Sequence, residues 1–483
     1  MVQLSPDVCS LGARDLRREI DARRLSCVEV MTACLARIEA LDGAVNAIVA
    51  LQDADDLLAQ AKAKDADLAA GRAHGPLHGF PHAVKDLQPV AGIRSTQGSP
   101  IFRDFVPVDD GLPALRLRQA GAIFIGKTNT PEFGLGSHTF NPVHGTTRNA
   151  YDLTRSAGGS SGGAAVALAM RMVPLADGSD YGGSLRNPAG WNNVLGFRPS
   201  IGRCPSLARD EWLPSMGVIG PMARSVDDLA LLLSVLAGFD PRAPLSLDTP
   251  GADFATVTRR DTIRRRIGWL GDFGGAAPCE EGVLALCEAA LGTFEALGCI
   301  VEPAAVAFDH ERAWQAFLTL RAWQTGSTLL VHHQDLATRD LLKPEAVLEV
   351  ETGLGLSAFD ITAASVARSE WTAAFRRLWE RFDYLVAPTA QLFPFDAEAR
   401  WPREIAGRSM RTYHEWMKGV CLVSLTGCPS LAAPAGFSPS GLPMGLQIIA
   451  PAHQDMACLE LAAGYEQASP WTDARPPPQL GSS

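Results

Sequence analysis

Strand-like and helix-like stretches alternate along the whole chain, which predicts an α/β fold around a large sheet. Three observations carry the prediction. Residues 266–270 read as a strand, 282–297 as a helix and 299–302 as a strand, so β-α-β order is explicit there. Pro443-Met-Gly-Leu-Gln-Ile-Ile449 is a nearly unbroken apolar run of strand length, the mark of a strand buried on both faces. The length of 483 residues and the 47% hydrophobic composition supply a large core, and α/β enzymes of this size often form one unit.

Caps, periods and breakers place the other elements. Ser26-Cys-Val-Glu29 is a capping box. Val28, Met31, Leu35 and Ile38 then repeat at three and four, one face of a helix that Asp42-Gly43 stops. An alanine-rich helix covers 54–70. Glycines and prolines over 71–81 mark a turn-rich entry to a short apolar strand that ends on Lys85-Asp86. Residues 112–120 read as a helix, and 122–125, 174–178 and 193–197 as strands. Ser225-Val-Asp-Asp228 caps a helix through Ala237, and the Pro-, Ala-, Asp- and Thr-rich stretch 239–262 is a long connection. Residues 308–356 are mostly helical, with Trp314, Phe317 and Trp323 read as core rather than substrate wall. A strong helix over 360–381 leads into a strand over 382–389. Residues 421–425 and 430–434 read as strands or buried turns, and 457–467 as a closing helix.

The totals exclude several functions. A net charge of −10 argues against a nucleic-acid surface or a polybasic membrane anchor. None of the ten cysteines forms a pair with metal-type spacing; Cys27 and Cys34, and Cys421 and Cys428, are each seven apart. Reduced, buried thiols in a cytoplasmic protein are the expectation, with no metal and no organic cofactor. Residues 1–10 lack the basic and apolar regions of a secretory leader. The longest mostly apolar run, 229–239, falls far short of the ~20 residues of a membrane span.

The chemistry concentrates in about thirty residues. Arg155-Ser-Ala-Gly-Gly-Ser160-Ser161-Gly-Gly and Asp180-Tyr-Gly-Gly-Ser184-Leu-Arg186-Asn-Pro188 flank an alanine-rich helical run. Serines in glycine-rich turns suggest a hydroxyl nucleophile with bare backbone N–H groups beside it, because glycine lets the backbone approach a ligand closely. Two rival motifs fail on context. Gly121-Ala-Ile-Phe-Ile-Gly126-Lys127-Thr128 fits the phosphate-loop expression, but its interior is an apolar strand, a helix precedes it and Pro131 follows. Gly159-Ser-Ser161-Gly-Gly163 fits a nucleophile elbow, but the polar segment before it is no buried strand. His82, His138, His144 and His414 sit in unrelated contexts and compose no Ser-His-Asp set. Taken alone, Lys85 reads as a surface lysine at a strand end.

Together these pieces resemble the amidase signature family of serine hydrolases. The resemblance rests on Gly79-Phe-Pro-His-Ala-Val-Lys85-Asp86, Gly126-Lys-Thr-Asn-Thr-Pro-Glu-Phe-Gly134, Thr147-Arg-Asn149, Gly158-Gly-Ser-Ser-Gly-Gly163, Gly182-Gly-Ser-Leu-Arg186 and Gly196-Phe-Arg-Pro-Ser200. Ala433-Pro-Ala-Gly436 and Gly441-Leu-Pro-Met-Gly-Leu-Gln447 extend it, leaving only about 239–356 uncovered. It implies a large mixed, twisted β-sheet covered by helices on both faces, and a Ser-cisSer-Lys triad: Lys85 as general base, Ser160 as the bridging serine behind a cis peptide, and Ser184 as nucleophile. It also implies an oxyanion hole from the N–H groups of Tyr181, Gly182, Gly183 and Ser184, supported by Asp180, Arg155 and Arg186. A lysine acts as a base only when neutral, so burial beside Ala83-Val84 must lower its pKa from ~10.4.

On this resemblance the chain divides into N-terminal helices (1–70), a catalytic core (71–237), a variable substrate-side region (239–356) and the C-terminal part of the core sheet (357–483). Three positions depart from the family's usual pattern: Tyr181 where a small or β-branched residue is common, Asp177 for an apolar residue, and Ala157 where proline often precedes Gly-Gly. Phe133, Tyr181 and Trp191 point to an apolar or aromatic acyl group. The expected reaction is hydrolysis of a linear amide through an acyl-enzyme on Ser184, with ester or carbamate cleavage as variants. The rivals are the glutaminase subunit of a tRNA-dependent amidotransferase and a non-catalytic small-molecule binder. The expected partner is a small molecule; the sequence leaves the oligomeric state open, a homodimer being one option.

Overall fold

Capping side chains set where the helices begin. In the computed structural model, which describes residues 7–72, 75–207, 210–213, 216–258 and 262–481, the N-terminal arm holds α1 (Ala13–Asp21), α2 (Cys27–Val45), the short strand β1 (Ile48–Val49) and α3 (Ala54–Ala69). Ser26 Oγ accepts from the Glu29 N–H and the Glu29 carboxylate accepts from the Ser26 N–H, the reciprocal box expected. The Asp53 carboxylate opens α3 in the same way, by accepting from the N–H groups of Asp55 and Asp56.

The segments that carry the site come next: β2 (Pro81–Lys85), α4 (Leu112–Gln119), β3 (Ile123–Thr128), and a small hairpin of β4 (Phe140–Asn141) and β5 (Gly145–Thr146). The glycine-rich stretch then forms α5 (Gly162–Ala169), β6 (Ala176–Asp180) and α6 (Arg186–Trp191), followed by β7 (Leu195–Arg198), β8 (Val218–Ala223) and the Ser225-capped α7 (Val226–Leu236). The β-α-β unit is β9 (Arg266–Trp269), α8 (Val283–Ala296) and β10 (Ile300–Pro303). A helical block, α9 (His310–Gln334), α10 (Pro344–Leu354) and α11 (Ala358–Leu378), covers the site side. The chain closes with β11 (Tyr384–Pro388), the hairpin β12 (Glu404–Ile405) and β13 (Arg408–Ser409), α12 (Lys418–Leu425), β14 (Ser430–Phe437), β15 (Pro443–Ile449), α13 (Asp455–Ala468) and α14 (Trp471–Ala474).

Eight strands form the main sheet in the order β10-β9-β11-β15-β14-β7-β8-β6. The β10–β9 and β9–β11 pairs are parallel and the other pairs antiparallel, so the sheet is mixed as predicted. A second sheet, β1-β3-β2, has β2 parallel to β3 and β1 antiparallel to it. Strand β2 ends one sheet and β6 ends the other, and the two lie side by side. Along β15 every residue is buried, the twofold-covered strand its composition implied. Trp314 and Phe317 of α9 are buried and stacked, with ring centroids 5.3 Å apart, as core residues should be.

One element differs in kind from expectation. Residues 421–425 lie in α12, not in a strand or turn. The run is short and uniformly apolar, so periodicity could not separate the two readings. What makes the helix viable is tertiary. The last four carbonyls of a helix have no intrahelical partner. Here Leu422 O accepts from Trp371 Nε1 at 2.9 Å and Leu425 O from Arg368 Nε at 2.9 Å. Nearer the start of the helix, Val420 O also accepts from Arg186 Nη1 at 3.2 Å. Parts of three readings, at residues 1–6 of the leader, 73–74 of the turn-rich entry and 259–261 of the long connection, lie outside the described residues.

Close backbone packing at α5 yields a test. A Cβ on Gly163 would collide with the backbone of Asn129 and sit 2.7 Å from Ala47 O. Gly163→Ala is expected to cost at least the ~1–3 kcal/mol of an overpacked core, seen as a lower melting temperature or loss of soluble protein. Gly292→Ala, where nothing lies within 4 Å, should leave the melting temperature unchanged or raise it.

Candidate active site

Three chain segments converge on one amine. Strand β2 presents Lys85 at its C-terminal end, the turn before α5 presents Ser160 and Ser161, and β6 presents Ser179. Lys85 is fully buried. Its Nζ lies 2.8 Å from Ser160 Oγ, 2.8 Å from Ser161 Oγ and 3.0 Å from Ser179 Oγ. Among the described residues no carboxylate touches it. Burial pushes the amine down to about 7, against the opposing pull of Asp177 and Asp180. A neutral amine offers two N–H bonds and one lone pair. With Ser161 and Ser179 accepting the two N–H bonds, the lone pair is free for the Ser160 proton.

Glycine geometry makes the convergence possible. Gly158 has φ +73°, and a Cβ there would sit 3.0 Å from Pro188 Cα and 3.2 Å from the Trp191 ring. The Gly159–Ser160 peptide is cis, as the resemblance implied. Thr139 Oγ1 donates to Gly158 O at 2.8 Å and Ser137 Oγ donates to Gly159 O, pinning the turn from behind. Gly183, at φ +105°, lies against Asn187 and Val420 with no room for a side chain.

The second turn hangs on Asp180. Its Oδ1 accepts from Gly183 N–H at 2.8 Å and its Oδ2 from Leu185 N–H at 3.1 Å. Arg186 grips both oxygens at 3.0 Å, and Arg198 Nη1 reaches Oδ1 at 3.2 Å. Burial alone would raise the Asp180 carboxyl. The two guanidiniums outweigh it and hold the group well below the usual carboxylate range. The N–H groups of Tyr181, Gly182 and Ser184 meet no acceptor among the described residues, so they stay available to a developing negative charge.

Comparison with known proteins fits this geometry. The family model described as Amidase matches residues 29–459. The chain belongs to the amidase family. It is similar to an acylamidase of Rhodococcus erythropolis, 32% identical over 97% of this chain and 98% of that protein. It is also similar to the A subunit of the glutamyl-tRNA(Gln) amidotransferase of Azoarcus sp., 34% identical over 96% of this chain and 98% of that one. The crystal structure of a bacterial aryl acylamidase of the amidase signature family superposes with a TM-score of 0.90 at 29% identity, covering 98% of this chain and 99% of that one. This amidase is thus a hydrolase of amide C–N bonds.

Most sequence-predicted site residues of this amidase come together, with some corrections and additions. Gly183 N–H is already engaged by Asp180, unlike those of Tyr181 and Gly182. Arg155 is not in the supporting layer: its side chain is 42% exposed and faces Asp152 at 3.7 Å. Trp191 is not a pocket residue. It is fully buried under the Gly158 turn, donates to Leu392 O at 3.0 Å and stacks on Trp416. Sequence reasoning misses Arg198, although a lone charge ending the apolar strand Leu195–Arg198 is a usable signal. It also misses Ser161 and Ser179 as partners of the amine. The backbone next to Phe133 passes the site, since a Cβ on the adjacent Gly134 would be 3.5 Å from Ser160 Oγ. The Phe133 ring stands edge-on to Phe102 and is stacked with His332. Tyr181 donates to Gln324 Oε1 at 2.8 Å and meets Phe317 edge-on, so α9 forms the wall beyond it.

Ser184 is half-buried, and its hydroxyl has no hydrogen-bond partner among the described residues. The chain of hydroxyls is therefore closed between Lys85 and Ser160 and open toward Ser184, the looseness common where substrate is not bound. His138 and His414 are bonded elsewhere, to Ala397 O and Glu349. Among the described residues no His, Cys, Asp and Glu group could hold a metal ion, and no helix is long and apolar enough to cross a membrane.

The Asp180 cluster and Arg155 make opposite predictions. Arg186→Met strips a buried carboxylate of its main partner and is expected to destabilise by about 3–5 kcal/mol, measured by denaturant unfolding. Arg155→Ala removes an exposed ion pair and should stay within about 1 kcal/mol of the parent.

Proposed function

We propose that this amidase cleaves a linear amide with an apolar or aromatic acyl group, through an acyl-enzyme on Ser184. The observation that carries the reading is the buried Lys85 amine, near neutrality at about 7 and 2.8 Å from Ser160 Oγ. In the neutral state Lys85 takes the Ser160 proton as Ser160 takes that of Ser184, and Ser184 Oγ attacks the amide carbonyl carbon. The oxyanion that forms meets the N–H groups of Tyr181 and Gly182, each such donor being worth about 3 kcal/mol in the transition state. The proton returns through Ser160 to the leaving nitrogen, the C–N bond breaks, and water repeats the sequence to release the acid.

The choice of acyl group rests on the wall. Phe133 and Tyr181 are partly buried rings on the segments that carry the site; Phe102 stands edge-on to Phe133, the buried Phe317 packs edge-on behind Tyr181, and Leu135, Leu329 and Val350 back Phe133. Rings at these positions suit a neutral apolar group. The likeness to an acylamidase and an aryl acylamidase supports the same reading. Similar identity to the amidotransferase chain does not separate the two branches, and the aromatic Tyr181 at the oxyanion turn favours the acylamidase side. Esters and carbamates present the same carbonyl to the same donors and extend the substrate range.

Purified protein assayed against aryl anilides, p-nitrophenyl esters, aryl carbamates and glutamine should cleave the aryl amides and leave glutamine intact. Rapid glutamine hydrolysis with inert anilides would refute the substrate class. Ser184→Ala should abolish both anilide turnover and labelling by a fluorophosphonate; undiminished turnover would refute the nucleophile. The amine is protonated below about 7, so kcat/KM should rise with pH through that region and fall about tenfold per unit on its acid side. Lys85→Ala should lower kcat/KM by ~10²–10⁴ at neutral pH, with partial recovery at alkaline pH.

A further inference from the structure

Two sheet edges meet beside the amine, and no backbone ladder joins them. Strand β6 ends the eight-stranded sheet and β2 ends the three-stranded one. Two side chains of β6 bridge them: Ser179, bonded to the Lys85 amine, and Asp177, bonded to the strand behind it. The carboxylate of Asp177 accepts from the Lys85 backbone N–H, with both oxygens at 3.3 Å, and from His82 Nε2 at 3.0 Å. Asp177 is fully buried and His82 is 1% exposed. Pairing of β2 with β3 slips by one residue between His82 and Ala83, at the foot of this contact. A buried carboxylate is costly unless its lone pairs are filled, and an apolar residue would fill the space more cheaply. Here the carboxylate has two donors, and both belong to the strand that carries the base.

We propose that Asp177 and His82 are positioning residues for the Lys85 amine. Asp177 ties residue 85 to the strand bearing Ser179 and leading to Tyr181, and its charge, partly neutralised by the His82 donor, sets how tightly the amine holds its proton. The inference rests on Lys85 as the base. The surroundings add few other charges. Asp180 at the end of β6 and Asp86 after β2 are acidic; Lys127 on β3 sits 4.0 Å from Asp86, and burial lowers its amine to about 8. The buried titratable groups of α2 are the thiols of Cys27 and Cys34, both pushed up by burial and therefore neutral. Helix α5 and strand β8 carry no titratable side chain. Asp177 is thus the carboxylate bound directly to residue 85, and its field favours the protonated amine.

The test is the pH dependence of the second-order rate of fluorophosphonate labelling of the full chain, which needs no knowledge of the substrate. Asp177→Asn keeps the shape and an acceptor for the Lys85 N–H but removes the charge. Its acid limb should move to lower pH by about one unit, a tenfold gain in neutral amine at acid pH. His82→Phe leaves the carboxylate less neutralised and should move the limb the other way. A purely structural pair would lower the melting temperature or the rate at every pH and leave the limb in place. An unmoved limb in folded Asp177→Asn overturns the proposal. If that variant is insoluble, the apolar double variant His82→Phe/Asp177→Ala is read by the same criterion. A Lys85→Ala protein that labels with the parent's acid limb would instead overturn Lys85 as the base, so the two failures are distinct.

Discussion

The structure depends on keeping an amine out of water with only hydroxyl oxygens in contact. A buried lysine normally recruits a carboxylate, and a carboxylate in contact would hold it charged. Here Ser160, Ser161 and Ser179 satisfy the Lys85 amine, while Asp177, bonded only to the Lys85 backbone N–H, and Asp180 act on the amine without touching it. Hydroxyls can both donate and accept, so they solvate either protonation state. The site can therefore change charge without rebuilding its hydrogen bonds.

Holding three hydroxyls around one nitrogen demands close backbone approach from three directions. That explains why the glycines cluster where they do. Gly158 lies against Pro188 and Trp191, Gly163 against Asn129, and Gly183 against Val420. The Asp180–Arg186–Arg198 cluster works from the other side, clamping the oxyanion turn onto α12 and β15 through Ser424 and Gln447. Rigid turns on strand ends hold their donors in place before charge develops, which is the condition for electrostatic stabilisation.

Much of this is legible in the residue order. Caps and period give the helices, and the long apolar run gives β15. The Gly-Gly-Ser turns give Ser160 and Ser184 because glycine and serine chemistry is local. What is not legible is whatever depends on contacts distant in sequence. Residues 421–425 are helical because Trp371, Arg368 and Arg186 take carbonyls of that helix. Trp191 reads as a pocket residue because its neighbours are catalytic, yet α6 turns its ring into the core against Trp416. Arg155 follows the same logic in reverse, next to the turn in sequence but half-exposed beside Asp152. Asp177 is visible as a departure from pattern, but its meaning requires seeing that β2 runs beside β6.

Tyr181 belongs to two structures at once. Its backbone N–H is one of the free donors at the oxyanion turn, and its hydroxyl is tethered to Gln324 on α9, with the Arg321 guanidinium 5.1 Å from the ring. A bulky acyl group that displaced α9 would pull on that tether and tilt the donor it needs. The position of α9 and the aim of that N–H are therefore mechanically coupled through one phenol.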